Sequence, residues 1–509
     1  MKNNEIEIEN IINEINEFFE KINKTAYKNI HLISSEVLSR NYFTNNFVKK
    51  VFKRKKHEKF TLKNIMQNLF IYYKRNFGHF YWFVRKYIAF KKNFKKDELQ
   101  RNLYADTIYI IDNFLLVDKS LGDKKIADHY FCELSDVLKK RGKKFFWTPF
   151  FYDETPSLDR TIGIFKLLKF NINYYITEYE LLKINDFIKI FVHILLFPFS
   201  VIKLVIGIGD GYKEKILKEE LISELKNSLS FYRYGRYLFG KRLRSYFKNN
   251  KLVVISWFEN QTLQKNYYKG LKTVLPHNCF IYGAKLYLYS RFYFSSEVIE
   301  QEKKFSVVPD KVLINGKYYL RFNKSASVAP SLRYKNVFRK YNVTREFDCL
   351  VILTYFKDFN NKILKIINQE FFYKLKVAFK VHPTSSITGI QLHKNWQIFE
   401  KNYPVSSLFE RSDLIITSES GTCVEAVATG KSIIIVSHDD NLKSQYLTEI
   451  GENIIWKSVD SKKDIIKAYT QLRNERIKNF SKIEELSKWY KDNYFCEPTE
   501  KSIIKTFNI

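Results

Sequence analysis

The stretch SDLIITSESGTCVEAVATGKSIIIV, residues 412–436, decides the reading of the fold. Leu414–Thr417 is a short apolar run with no polar break, the pattern of a strand buried on both faces. It ends in a turn of small residues (Ser418, Ser420, Gly421 and Thr422), and a helix over 421–429 starts at once. Ser432–Val436 is the next buried strand. Strand, helix and strand so closely spaced predict a parallel βαβ unit.

The turn has chemistry as well as shape. It aims backbone N–H groups and the positive helix end outward, and its small side chains let a phosphate approach. Glu425, near the first helical turn, is placed to accept hydrogen bonds from ribose hydroxyls. A second reading fits the same residues: an ordinary strand–turn–helix in which Ser418 or Ser420 is only a helix cap. Neither a GxGxxG nor a P-loop pattern is present, so those mechanisms are not invoked.

Working upstream, KLKVAFKV (374–381) is a strand running into His382-Pro383, with hydroxyls following at Thr384, Ser385 and Ser386. Ligands of open α/β sheets bind at the carboxyl ends of strands, which places His382 where it can donate to a nucleotide phosphate. CLVILTYF, from Cys349, is a further strand, followed by a helix over 359–369. Helices are expected at 461–475, 478–492 and 499–507. An earlier series alternates in the same way: TIYIIDNFLL from Thr107, a helix over 125–141, KKFFWTPFF, Asn171–Thr177, KLVVISW (251–257), Cys279–Tyr282 and Lys311–Ile314. A first strand is expected at Ile30–Ile33. Two such series predict two Rossmann-type domains with a hinge near 322–347.

The order Lys380-x-His382-Pro383, then Ser412-Asp-Leu-Ile-Ile-Thr-x-x-Ser-Gly-Thr-x-x-Glu-Ala, then Gly430-Lys-x-Ile-Ile-Ile-Val resembles the donor half of GT-B glycosyltransferases of bacterial surface polysaccharides. The similarity is to the capsule Kdo- and sialyltransferases with their HP and serine motifs, and more distantly to the teichoic-acid glycerophosphotransferases. It covers about 348–457. The resemblance implies that His382 contacts the donor's phosphate and that Ser418, Ser420, Gly421 and Thr422 hold phosphate or nucleotide. The glycerophosphotransferases usually show Asp-Tyr-Ser-Ser where this chain has Ser-Glu-Ser-Gly, which argues against a CDP-glycerol donor. The expected fold class is α/β and GT-B-like: two facing Rossmann-type domains with parallel sheets, plus helical N-terminal and membrane-proximal elements. Expected boundaries are 1–100 for a basic, aromatic helical region and 101–330 for the acceptor domain. The donor domain follows at 345–480, and C-terminal helices at 481–509.

An inverting transfer needs a general base from the acceptor domain. SWFENQ (256–261) closes a strand, making Glu259 the leading base, if burial raises its pKa, and Trp257 or Phe258 an acceptor-stacking ring. Glu259 as a cap of the following helix is the competing reading. Asp112 and Asp210 are weaker bases; Asp210-Gly211 is similar to an acidic-glycine motif of some bacterial sialyltransferases. No Asp-x-Asp occurs, so leaving-group charge falls to helix dipole, His382 and cations such as Lys380 and Arg411, without metal or other cofactor. The expected donor is a nucleotide sugar, CMP-linked and acidic by preference, and the acceptor a glycan or lipid-linked glycan. A UDP-sugar 2-epimerase and a non-catalytic membrane-surface assembly protein are the competing classes.

The 509 residues exceed one hydrophobic core, and 45% apolar content excludes a disordered chain. The formal charge of +32 is spread along the chain with no nucleic-acid module, so an anionic membrane or substrate is the expected partner rather than nucleic acid. Five well-separated cysteines read as reduced thiols of a cytoplasmic protein. The opening residues Met1–Glu5 read as the start of a polar helix, not a signal peptide. FIKIFVHILLFPFSVIKLVIGI (187–208) approaches a membrane span in length, but Lys189, His193, Lys203 and a kinking Pro198 favour a buried or interfacial helix. The aromatic helix at 61–90, after the basic run Lys49–Lys56, is either a core helix or a surface that docks on anionic lipid. Peripheral attachment to the inner face of the plasma membrane follows.

Overall fold

Apolar, β-branched runs form the strands of two separate sheets. In the computed structural model these are β1 (Thr107–Leu116), β2 (Lys144–Tyr152), β3 (Lys251–Trp257), β4 (Cys279–Ala284), β5 (Lys311–Ile314) and β6 (Ser327–Val328) in the first. The second holds β7 (Cys349–Ile352), β8 (Val377–Lys380), β9 (Trp396–Phe399), β10 (Leu414–Ser418), β11 (Ser432–Val436) and β12 (Trp456–Val459). The structure describes residues 2–509 except 41–45, 53–60, 96–98, 102, 127, 129, 154, 286–287, 289–295, 341–343, 356, 383–392, 401–402, 419 and 438–445.

The orders are β2-β1-β3-β4-β5-β6 and β12-β11-β10-β7-β8-β9, and every strand pair is parallel. Parallel strands need helical crossovers, which cover both faces and bury Ile110, Val254, Ile255, Val351, Ile416 and Ile434. This is the two-domain Rossmann-type architecture expected from the sequence.

Several expected elements differ. Ile30–Ile33 is not a strand: Leu32–Ser34 is a 3-10 turn. Asn171–Thr177 contains a 3-10 turn at Ile172–Tyr174, and only Tyr175 bridges to Trp147. The helix expected over 125–141 is confined to Leu134–Lys140. The apolar helix runs Ile184–Gly207 and continues through Pro198.

Two glycines set the spacing under the first sheet. The helices Ser230–Tyr246 and Thr262–Thr273 cross so closely that a Cβ on Gly240 would lie 2.5 Å from the Tyr267 carbonyl oxygen. One on Gly270 would lie 2.1 Å from that of Tyr237. This crossing seats the start of the second helix at the carboxyl end of β3.

The chain passes between the domains twice. After Phe480–Tyr494 it returns to the first domain, where Phe507 meets Tyr282 edge-on at 5.5 Å and the Asn508 carbonyl accepts from Tyr109 Oη at 2.9 Å. The two passages are stitched together: Ser331 N donates to Cys496 O at 2.8 Å, and Cys496 N donates to Ser331 Oγ at 3.1 Å.

Candidate donor site and facing cleft

The carboxyl edge of the second sheet gathers most of the predicted donor residues. Thr417, Ile352 and Lys380 stand in one register row on β10, β7 and β8, so Ser418 and His382 emerge at the same edge with β7 between them. Strand spacing puts their backbones about 10 Å apart. Residues leaving β7 fill the gap. Ser418 Oγ donates to Thr354 Oγ1 at 3.5 Å, and the Tyr355 ring meets His382 edge-on at 5.9 Å. Asn360 fixes this exit, accepting from Thr354 N at 2.7 Å and donating to Thr354 O at 2.8 Å. Pro383 and Thr384–Ser386 lie outside the described residues.

At the turn, the helix Gly421–Ala428 begins with Ser420 in extended backbone, the usual N-cap geometry. Its hydroxyl does not cap: Ser420 Oγ is buried and has no hydrogen-bond partner among the described residues. Thr422, on the first turn, is partly exposed. Gly421 faces the other domain, and a Cβ there would lie 3.6 Å from Leu288 Cβ. Glu425, partly covered, is pushed up to about 7 by burial, with the Arg333 guanidinium opposing. Arg333 comes from the 3-10 segment Leu332–Phe338 of the interdomain passage and lies 5.0 Å over the Tyr130 ring. The helix start is thus the wall of a cleft whose other side is the first domain.

Lys380 is less available than expected. It is buried, its Nζ donates to Val381 O at 2.7 Å, and burial lowers its ammonium to about 8. Arg411 lies before β10, at the opposite edge, where its Nε donates to Glu346 at 2.7 Å.

At the carboxyl edge of the first sheet, Glu259 leaves β3 at 4% exposure. It does not cap the next helix: Gln261 does, with Gln264 completing the capping box. Gln264 Oε1 also accepts from Glu259 N at 2.9 Å. The Glu259 carboxylate accepts from Lys285 Nζ at 3.0 Å, and burial pushes the Lys285 ammonium below the usual lysine value against the pull of Glu259. Lys285 is held at the end of β4 by its own N–H to Leu313 O at 2.8 Å and by Asn315 Nδ2 on its carbonyl at 3.0 Å.

Trp257 is a core ring, not an open platform. It is 1% exposed, with its centroid 4.1 Å from that of Phe114. Asp112 is committed to the interior, accepting from Arg236 at 2.7 Å and Ser256 at 2.8 Å. Asp210 is exposed and paired with Lys218 at 2.7 Å. Sequence reasoning missed Lys285, Arg333, Thr354 and Tyr355. Thr354 and Tyr355 stood in CLVILTYF, and the strand-end argument applied to His382 reaches them equally.

No family model matches the chain, and no curated protein matches it in sequence. Solved structures with a similar chain path include the glycotransferase of kitacinnamycin, at TM-score 0.42 and 8% identity over 79% of this chain and 97% of that one. MurG of Acinetobacter baumannii gives 0.39 and 10% over 79% and 99%. The wall teichoic acid polymerase TagF gives 0.40 and 11% over 87% and 96%.

Proposed function

We propose that the protein is an inverting, metal-independent glycosyltransferase. It moves a sugar from a nucleotide donor, preferably a CMP-linked acidic sugar, to a surface polysaccharide or lipid-linked glycan at the inner face of the plasma membrane. The observation that carries this reading is the helix start at Ser420–Thr422, where a buried hydroxyl without a partner among the described residues adjoins the first-turn N–H groups of a helix and a glycine. A phosphate seated there completes the hydrogen bonding of Ser420.

In this reading the Ser418, Ser420, Gly421 and Thr422 edge holds the donor phosphate, and Glu425 receives the ribose. His382, two strands away, donates to the phosphate oxygen that gains charge as the glycosidic bond breaks. Glu259, oriented by Lys285 across the cleft, takes the proton of the attacking acceptor hydroxyl.

The test is thermal stabilisation by CMP, CDP, UDP, GDP and ADP, with and without Mg²⁺. Nucleotide at a hundred times its dissociation constant adds about 2.7 kcal/mol. A metal-independent shift with CMP, abolished by His382→Ala, is expected. A shift with UDP alone would redirect the assignment to UDP-sugar chemistry, including 2-epimerisation. No shift with any nucleotide would refute the donor site.

A further inference from the structure

The helix Ile184–Gly207 has a mean hydropathy of 2.2 over its most apolar window, enough by length and composition to cross a bilayer. Its packing says otherwise. One side is core, with Ile190, Ile194, Phe197 and Val201 fully buried. Asp186 on that side accepts from Arg242 Nε at 2.7 Å. His193 Nδ1 lies 2.7 Å from His31 Nδ1 and its ring stacks on Tyr234 at 4.4 Å. A helix held along its length in this way cannot be surrounded by lipid.

The opposite side is apolar and uncovered. Ile184, Ile188, Phe191, Leu195 and Phe199 recur at three- and four-residue steps, Ile206 follows two turns later, and all are exposed, Phe199 at 64%. The neighbouring helix Leu62–Asn93 carries a matching stripe of Leu62, Met66, Phe70, Tyr81 and Ile88, with Phe70 at 69%. The helices run antiparallel: Tyr87 meets Phe187 at 4.7 Å, Phe77 meets Phe191 at 5.5 Å, and Tyr73 Oη donates to Leu195 O at 3.3 Å. The two stripes therefore lie side by side as one broad apolar surface, of a kind monomeric soluble proteins rarely leave open.

Charge says what covers it. Leu62–Asn93 contains no Asp or Glu, and Asp186, the one acid of Ile184–Gly207, is turned inward onto Arg242. Lys63, Lys74, Lys91, Lys92, Lys189 and Lys203 on the same helices are exposed. Tyr81 and Trp82 are exposed as well, with Arg85 4.8 Å over the Trp82 ring, and amphipathic aromatics of this kind favour the headgroup layer. Two copies of this chain meeting on the face would bring like charges together.

We infer that Leu62–Asn93 and Ile184–Gly207 form a two-helix docking surface that lies flat in the headgroup layer of an anionic phospholipid membrane. The inference deepens the proposed membrane-face reading by naming the surface, and its test needs no nucleotide.

The experiment is flotation of the full chain with vesicles of phosphatidylcholine containing phosphatidylglycerol, and of phosphatidylcholine alone. The wild type floats with the anionic vesicles, less so with the neutral ones, and its binding weakens as salt rises. Phe70→Glu/Phe199→Glu, both on the open face, keeps its melting temperature and any nucleotide response but loses about tenfold or more in vesicle binding. Lys74→Gln weakens binding to the anionic vesicles about fivefold. Brominated lipid quenches a tryptophan signal that Trp82→Phe removes. Failure to float, or a double glutamate variant that floats like the wild type, would overturn the inference. So would a wild-type dimer that ignores vesicles and is dissociated by the variant. Vesicle binding by a chain that binds no nucleotide would leave the surface standing and remove the transferase reading.

Discussion

Glu425→Gln separates what the cleft costs from what it does. Burial holds the Glu425 carboxyl up at about 7, from an ordinary 4.5, so near neutral pH the folded chain keeps a proton that the unfolded chain has released. Below about pH 4.5 both states are protonated and the residue costs nothing. Between about 4.5 and 7 the unfolded state ionises first and stability falls as pH rises; above about 7 the loss is complete. A shift of this size corresponds to about 3 kcal/mol, an upper figure because the side chain is partly open to water. Glutamine carries no such loss, so urea unfolding from pH 4.5 to 8 is expected to show the variant level with the wild type at the acid end. It should be more stable by up to about 3 kcal/mol at pH 8, or several degrees in melting temperature. The same variant should weaken nucleotide binding if Glu425 receives the ribose. A stability gap that is already full at pH 5, or absent at pH 8, would refute burial as the source of the shift.

The remaining predictions concern the first domain. Gly270→Ala places a Cβ 2.1 Å from the Tyr237 carbonyl oxygen, and pushing the two helices apart should lower unfolding stability by about 1–3 kcal/mol, read from the urea midpoint. Asp186→Ala removes the buried partner of Arg242 and frees the first turn of the apolar helix; a loss of about 3 kcal/mol is expected by thermal melting, with nucleotide binding retained.

What the sequence made legible follows from how local each signal is. The central strands β3, β10 and β11 are short Ile- and Val-rich runs buried on both faces, and their pattern suffices. The edge strands β9 and β12 went unread because half-exposed Trp396–Phe399 and Trp456–Val459 break the apolar run. Ile30–Ile33 and Asn171–Thr177 misled for the converse reason: a short apolar run buries equally well as a 3-10 turn. In the site, the Ser418–Thr422 turn was readable because strand, turn and helix are consecutive. The Lys285 partner of Glu259 was not, since it sits on the next strand. Trp257 was misplaced because its face of β3, shared with Val253 and Ile255, joins the core covered by Ile503 and Phe507 from the far end of the chain. Nothing near residue 257 announces that cover.

The paired hydrogen bonds between Ser331 and Cys496 constrain how the cleft can work. Two passages that crossed far apart would fix a long axis and permit only a swing about it. Joined at one place, they bring both crossings to a single point, so any movement of one domain over the other turns about it. Displacement then grows with distance from that joint. Arg333, two residues along the chain from Ser331, should stay opposite Glu425 through opening and closing. Leu288 and Gly421, which meet farther from that joint, should part first, opening the cleft beside the Ser420–Thr422 turn.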